Sequence, residues 1–278
     1  MLTGDASDGG VPTETAFRVV TWNVENFFDS RNDPDTGDEV YNGAQVNAKI
    51  SQLATVLNAI DADFVALQEV ENLSLLQRLV MEGLPERGYV DWGLMDGFDG
   101  RGIDVAFISR FPVDNVVSQL GESFEGPTGE RQFFTRDAVE AFVNVNGTTV
   151  VVMTSHFLSQ VTSGSETRRL GEAIQAQDIL RRRIGSYPRV LFAGDMNDNP
   201  GSPPYDAMGV DGVLTDLTLQ VPADDRWTYI YRGMTQLDYM FASEEMAADL
   251  VGIQIMHNAD VEVASDHYPV VANFRIDN

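Results

Sequence analysis

The 278 residues carry 43 acidic against 18 basic side chains, a formal charge of −25, with 43% hydrophobic residues and no cysteine. Disulfides, thiolate metal sites and cysteine nucleophiles are excluded, and so negative a chain disfavours broad, sequence-independent attraction to nucleic acid, whose affinity comes largely from phosphate contacts. No apolar run approaches the roughly 18 residues of a membrane helix, and the first residues, MLTGDASDGGVPTET, lack the basic start and apolar core of an export signal.

Residues 1–16 read as a disordered leader ahead of one domain over 17–278. In chain order, FRVVTW (Phe17 to Trp22) reads as a strand, and a loop rich in Asp, Asn and Gly covers Asp29 to Gly43. Apolar residues at Ile50, Leu53, Leu57 and Ile60 have helical spacing over Val46 to Ile60. Phe64 to Leu67 reads as a buried strand and Leu73 to Met81 as a second helix. Strands are predicted at Tyr89 to Leu94, Ile103 to Ser109, Val113 to Leu120, Ala138 to Val145 and Thr148 to Thr154. Asn146-Gly147 between the last two is a hairpin signal. Glu166 to Ile184 reads as a long helix with Arg181 to Arg183 at its solvated, dipole-favourable end. Strands follow at Val190 to Ala193, Leu237 to Ala242, Val251 to Met256 and Tyr268 to Ile276. No internal repeat or linker composition interrupts this α/β pattern.

The singular polar residues fall at or just past the ends of apolar strands, where a rigid sheet commonly holds functional groups. They are Asn23 and Glu25 in TWNVEN, Glu69 in LQEVEN, His156 in MTSH, Asp195 and Asn197 in GDMNDNP, Asp238 in QLDYMF, and Asp266-His267 in SDHYPV. Each also has a plain structural reading. Asn23 suits a turn, Glu69 the first turn of a helix, His156 a structural hydrogen bond, and Asp195 to Asn199 an Asx-rich turn before Pro200. Asp238 lies among apolar neighbours, where a buried carboxylate needs a partner, and His267 is suited to be it. His257 has no comparable context and reads as structural. A calcium-loop reading of Asp195 to Asp206 fails, because Pro200 stands where the loop needs glycine and Asp206 where it needs Glu. Zinc-protease, P-loop, dinucleotide and nucleophile-elbow motifs are absent. Acids, amides and histidines remain, an inventory for hydrolysis of a phosphoester assisted by a hard cation such as Mg²⁺, Mn²⁺ or Ca²⁺.

The ordered series TWNVENFFD, LQEVEN, GIDVAFISR, SHF, GDMNDNP, QLDYMF and SDHYPV resembles the endonuclease/exonuclease/phosphatase superfamily, from about Phe17 to Ile276. The resemblance implies a four-layer α/β/β/α sandwich of two mixed sheets flanked by helices. It implies Glu69 as the main metal ligand, with Asn23 and Glu25 beside it and Asp266 as a further metal-side carboxylate. Asp195 would orient or deprotonate water, and Asn197 would position it. His267, held by Asp238, would contact the phosphate or serve as base, and His156 would stabilise or protonate the leaving side. Asp104 is the candidate to orient His156, Arg136 matches a phosphate-gripping arginine, and Arg101 and Arg232 are further candidates for phosphate contact. Many members have HLKS where this chain has His156-Phe157-Leu158-Ser159, so arginine replaces lysine in gripping phosphate. The expectation is a monomeric phosphodiesterase acting on nucleic acid, with a small or lipid phosphoester as the alternative substrate and a non-catalytic calcium module as a third reading. Secretion or the periplasm is favoured over the cytoplasm.

Overall fold

The computed structural model describes residues 14–161, 164–231 and 233–277. The first strand, β1, spans Glu14–Phe27, so residues 14–16 of the expected leader belong to the sheet. The rest of that leader and Arg232 lie outside the described residues. Helix α1, Gly43–Ile60, starts three residues before the expected boundary because Asn42 and Gln45 form a capping box. Strand β2 is Phe64–Val70, helix α2 is Leu73–Arg78, and a single π turn follows at Leu79–Gly83. Next come β3 (Asp91–Leu94), β4 (Asp104–Ser109) and β5 (Val113–Val117). β5 stops short of Leu120 because the Asp137 carboxylate takes the Ser118 hydroxyl and the Gln119 amide. A small hairpin pairs β6 (Phe124–Glu125) with β7 (Arg131–Gln132). β8 (Ala138–Val145) and β9 (Thr148–Ser155) meet at Asn146-Gly147, with φ of 51° and 101°, the left-handed pair that a tight hairpin requires. Helix α3 (Ser165–Ile184) precedes β10 (Val190–Asp195), α4 (Pro203–Met208), β11 (Thr215–Asp216) and β12 (Asp238–Ala242). Finally come α5 (Glu244–Ala248), β13 (Leu250–Ile255), α6 (Ala259–Ala264) and β14 (Val270–Asp277).

The strands form two six-stranded mixed sheets, β13-β14-β1-β2-β4-β3 and β11-β12-β10-β9-β8-β5. Strand alternation builds the layers. In β9, Val150 and Val152 join the core shared with the first sheet and α1, while Val151 and Met153 face the core under α3. In β10, Leu191 and Ala193 point to the first core, Val190 and Phe192 to the second. Both faces are buried, which is why these strands read as continuous apolar runs. The result is the expected four-layer sandwich.

The arginines ending α3 depart from expectation. Arg183 turns inward and grips the fully buried Glu140 carboxylate on β8, at 2.6 and 3.0 Å, while Arg181 and Arg182 stay at the surface with Asp211 and Asp178. Sequence offered no sign of this, since α3 and β8 meet only in the folded chain.

Gly194 marks the tightest passage in GDMNDNP: a Cβ there would lie 2.3 Å from the Ser155 carbonyl oxygen on neighbouring β9. Gly194→Ala is expected to lose about 2 kcal/mol or more of stability through forced backbone separation, read as a lower urea midpoint. An unchanged midpoint would mean that the two strands part freely.

Candidate active site

The site lies along the adjacent ends of the two sheets, and its backbone is bent to serve it. Of seven described non-glycine residues with positive φ, four are here: Glu25 (50°), Asn26 (53°), Glu69 (66°) and Asn197 (51°). The β1–β2 register slips between Asn23 and Phe27, and the β2–β4 register between Gln68 and Val70. Bulges of this kind re-aim side chains, and strain of about 1–3 kcal/mol per residue persists only where the surroundings impose it.

Asn23 ties the sheets together. Its side-chain oxygen accepts from the Glu25 amide at 3.0 Å, and its NH₂ donates to Asp195 Oδ2 at 3.0 Å and Glu69 Oε1 at 3.4 Å. As placed, its NH₂ bridges these two carboxylates while its oxygen is held by the Glu25 amide. Glu69 Oε2 accepts from the Asn26 amide at 2.9 Å and lies 3.6 Å from the Arg101 guanidinium, which also bonds the Asn26 side chain. Glu25 accepts from the Asp266 amide at 3.1 Å. The SDH segment is fixed to β1 by the Ser265 hydroxyl donating to Asn23 O and by the Trp22 indole donating to His267 O.

Asp238, fully buried, meets His267 Nδ1 at 2.8 Å, and His267 Nε2 faces Asp195 Oδ2 at 3.9 Å. His156 Nε2 approaches the same Asp195 oxygen at 3.4 Å. The other Asp195 oxygen accepts from the Asn197 amide at 2.7 Å, and the Asn197 NH₂ donates to Phe157 O. The Asx turn of GDMNDNP therefore forms at its first aspartate, Asp195. Asp198 instead makes a buried ion pair with Arg169 of α3 at 2.8 Å.

Burial would lower the pKa of His267, but the charges of Asp238, Asp195 and Asp266 outweigh it and lift the imidazole to about 10. Burial and the Asp238 charge push Asp195 up to about 7. His156 is held well below its ordinary value by burial and by Arg136, so its ring is neutral. Burial lifts Asp266 to about 6. Behind these acids, the single lysine, Lys49, is buried and donates to Ala264 O at 2.7 Å; burial draws it down to about 8 against the pull of Glu25, Glu69 and Asp266.

Asn23, Glu25, Glu69, Asp266, Asp195, Asn197, His156, His267, Arg101 and Arg136 all line one cavity of about 290 Å³. Arg136 is buried, donating to Phe157 O and pairing with Asp99 at 3.0 Å, with its Nε lacking a partner. The expected pairing of Asp104 with His156 is not made. Asp104 accepts from the Gly97 amide, and its second oxygen and His156 Nδ1 are both without a hydrogen bond. His257 is structural, as its sequence context indicated: it stacks on Trp227 and bonds that residue's carbonyl.

A model of the endonuclease/exonuclease/phosphatase family matches residues 20–267. The chain belongs to that family. Its members are divalent-metal-dependent hydrolases of phosphoester bonds. Solved relatives agree on the fold. A family protein from Bacteroides thetaiotaomicron superposes with a TM-score of 0.67 at 17% identity, covering 96% of this chain and all of its own. The human Nocturnin catalytic domain with bound sulfate anion gives 0.66 at 16%, covering 96% of this chain and 97% of that one. A family protein from Beutenbergia cavernae gives 0.66 at 23%, covering 94% and 72%. Comparison with curated proteins returns no match.

The donors of this family member fit a hard cation: the carboxylates of Glu25, Glu69 and Asp266 share the cavity and offer only oxygen. They have not converged. Among the described residues, the group of acidic and histidine atoms mutually within 4.8 Å is Asp195, Asp238 and His267. That cluster makes a poor cage, because the 2.8 Å hydrogen bond between Asp238 and His267 Nδ1 already occupies the closest ligand pair.

Sequence reasoning missed Lys49, whose proximity to the site depends on α1 packing beside α6. It also missed Tyr229, whose ring lies 4.7 Å from His267, and Tyr231 with Val161 on the cavity rim. The repeated aromatics in TYIYRG were the one local signal for them.

Proposed function

We propose that the chain is a divalent-cation-dependent phosphodiesterase that cleaves nucleic acid. The observation carrying this reading is the His267–Asp238 pair facing Asp195 across a cavity also lined by Glu25, Glu69 and Asp266. Glu69, Glu25 and Asp266 would hold Mg²⁺, Mn²⁺ or Ca²⁺, which when bound neutralises phosphate charge as a Lewis acid. Arg101 and Arg136 meet the phosphate oxygens from the cavity wall. Asp195, raised toward neutrality, takes a proton from the attacking water, with Asn23 and Asn197 holding its carboxylate in place. Protonated His267 donates from Nε2 to the phosphate, and Asp238 stabilises its charge. The phosphorus–oxygen bond to the leaving group breaks as the new one forms, and neutral His156 offers that oxygen an N–H.

Support for a polymeric substrate comes from the rim, where Tyr231 is 75% and Val161 68% exposed beside the cavity. An exposed ring there gives a base a stacking face, whereas a phosphate monoester ends inside the cavity. Plasmid DNA, RNA, p-nitrophenyl phosphate and bis-p-nitrophenyl phosphate, each with Mg²⁺, Mn²⁺ or EDTA, test the reading. Metal-dependent cleavage of plasmid or RNA is expected; turnover of the monoester alone would reject a nuclease in favour of a phosphatase.

The same roles fix the pH profile. Asp195 acts as a carboxylate, so activity is lost as pH falls through its pKa. His267 acts as an imidazolium, so activity is lost as pH rises through its own. With bis-p-nitrophenyl phosphate, kcat/KM is expected to rise through a half-maximum near pH 7 to a plateau and to decline near pH 10. A profile flat from pH 5 to 7 would remove Asp195 as the base.

A further inference from the structure

Outside the catalytic cavity, a buried carboxylate sits among charges of its own sign. Glu71, one residue past β2, is 4% exposed. Its Oε2 accepts from the Asp29 amide and, at 3.2 Å, from the Asn72 side chain, while its Oε1 is buried without any partner. The Asn72 NH₂ also donates to Asp29 Oδ2 at 3.1 Å, so these two carboxylates share one amide. The charged neighbours acting on Glu71 are Asp29, Asp33 and Asp38. Asp38 folds back to accept from the Asp33 amide and the Thr36 hydroxyl. A buried carboxylate surrounded by acids is strongly unfavourable as an anion unless a proton or a cation neutralises it.

We propose that Glu71, with Asp29, Asp33 and Asp38, forms a second divalent-cation site, one suited to an ion of calcium's size. Its ligands are all oxygen and come largely from an exposed loop whose carbonyls can swing inward, which suits the six to eight flexible ligands of Ca²⁺ better than the strict octahedron of Mg²⁺. The four carboxylates stand apart, since the described three-residue acid and histidine cluster within 4.8 Å lies elsewhere. The loop therefore closes as the ion binds. Closure would reach the active site through one strut: the Gly37 amide donates to Gly100 O at 2.7 Å, and neighbouring Arg101 contacts Asn26 and Glu69. Calcium here fixes the position of Arg101 without touching substrate.

The test needs no substrate. Thermal unfolding, calorimetric Ca²⁺ titration and limited proteolysis are run on the wild type, Glu69→Ala, Glu71→Gln and Asp38→Asn. In Glu69→Ala, where the proposed catalytic site is crippled, Ca²⁺ is expected still to raise Tm by about 3 °C or more and to protect residues 29–41 from cleavage. Asp38→Asn and Glu71→Gln are expected to weaken this binding at least about tenfold. If Glu71→Gln does not fold, Asp38→Asn, on the loop's outer part, decides. Loss of the calcium response in Glu69→Ala, or wild-type binding by Asp38→Asn, overturns the site. An equal Tm rise with Mg²⁺ overturns the assignment to calcium. Failure of the nuclease assays leaves every one of these readings in place, so the two conclusions stand or fall separately.

Discussion

Replacing Asp238 by asparagine is expected to lower kcat/KM for a phosphodiester by about 10²- to 10⁴-fold and to pull the alkaline limb of the pH profile down from about 10 toward the ordinary imidazole value of 6.5. The carboxylate is fully buried and 2.8 Å from His267 Nδ1. An amide oxygen there still accepts the Nδ1 proton, so the ring keeps its orientation. What disappears is the charge that holds the proton on Nε2. Burial is then opposed only by the charges of Asp195 and Asp266, and the imidazole loses its proton at a lower pH. Alanine in place of His267 is less diagnostic, because it also strands Asp238 as an unpaired buried charge and costs stability. The asparagine variant separates the two effects. A large drop in rate with an unmoved alkaline limb would mean that the limb belongs to another group and that His267 is not the imidazolium in question.

The largest effect on stability is expected at Arg169. Its guanidinium, 5% exposed, bonds Asp198 at 2.8 Å, Ser165 Oγ at 2.7 Å and Leu158 O, joining the start of α3 to the loop that follows β10. Arg169→Met leaves the buried Asp198 without a counter-charge, a change that costs about 3–5 kcal/mol. Urea unfolding measures it. Adding Asp198→Asn removes the stranded charge and is expected to restore much of the loss, so the double-mutant cycle isolates the pair. Asn197 lies one residue before Asp198, and the single variant is expected to lose activity as well, because the loop that holds the Asp195 carboxylate is no longer moored. Full activity in a destabilised Arg169→Met protein would show that Asp195 and Asn197 are placed by β10 alone.

Residues with strong local signatures were legible in the sequence. The β8–β9 hairpin follows from two apolar runs around Asn146-Gly147, and its boundaries agree with the reading to within a residue. The motif residues stand at strand ends, and the fold brings them to one cavity because both sheets end there. Positions set by non-local partners were not legible. Nothing near Arg183 announces Glu140, and nothing near Asp198 announces Arg169. β1 runs on to Phe27 through two left-handed residues that local propensity opposes, since pairing with β2 overrides it. The short helices α4, α5 and α6, of five or six residues each, show too little periodicity to read. Asp104 is a candidate by likeness of motif alone, and its carboxylate meets the Gly97 amide and not His156.

The order in which the strands enter the sheets bears on when this machinery can work. β14 lies between β13 and β1, so the first sheet stays divided until the last described strand is in place. His267 stands just before β14 and follows every other cavity residue in the chain. On a ribosome, which releases the chain from its N-terminus, Asp195 and Asp238 emerge long before the imidazole they face. A partly synthesised chain therefore holds acids, amides and arginines without that imidazole. The cavity is complete only once the chain has reached its closing strand.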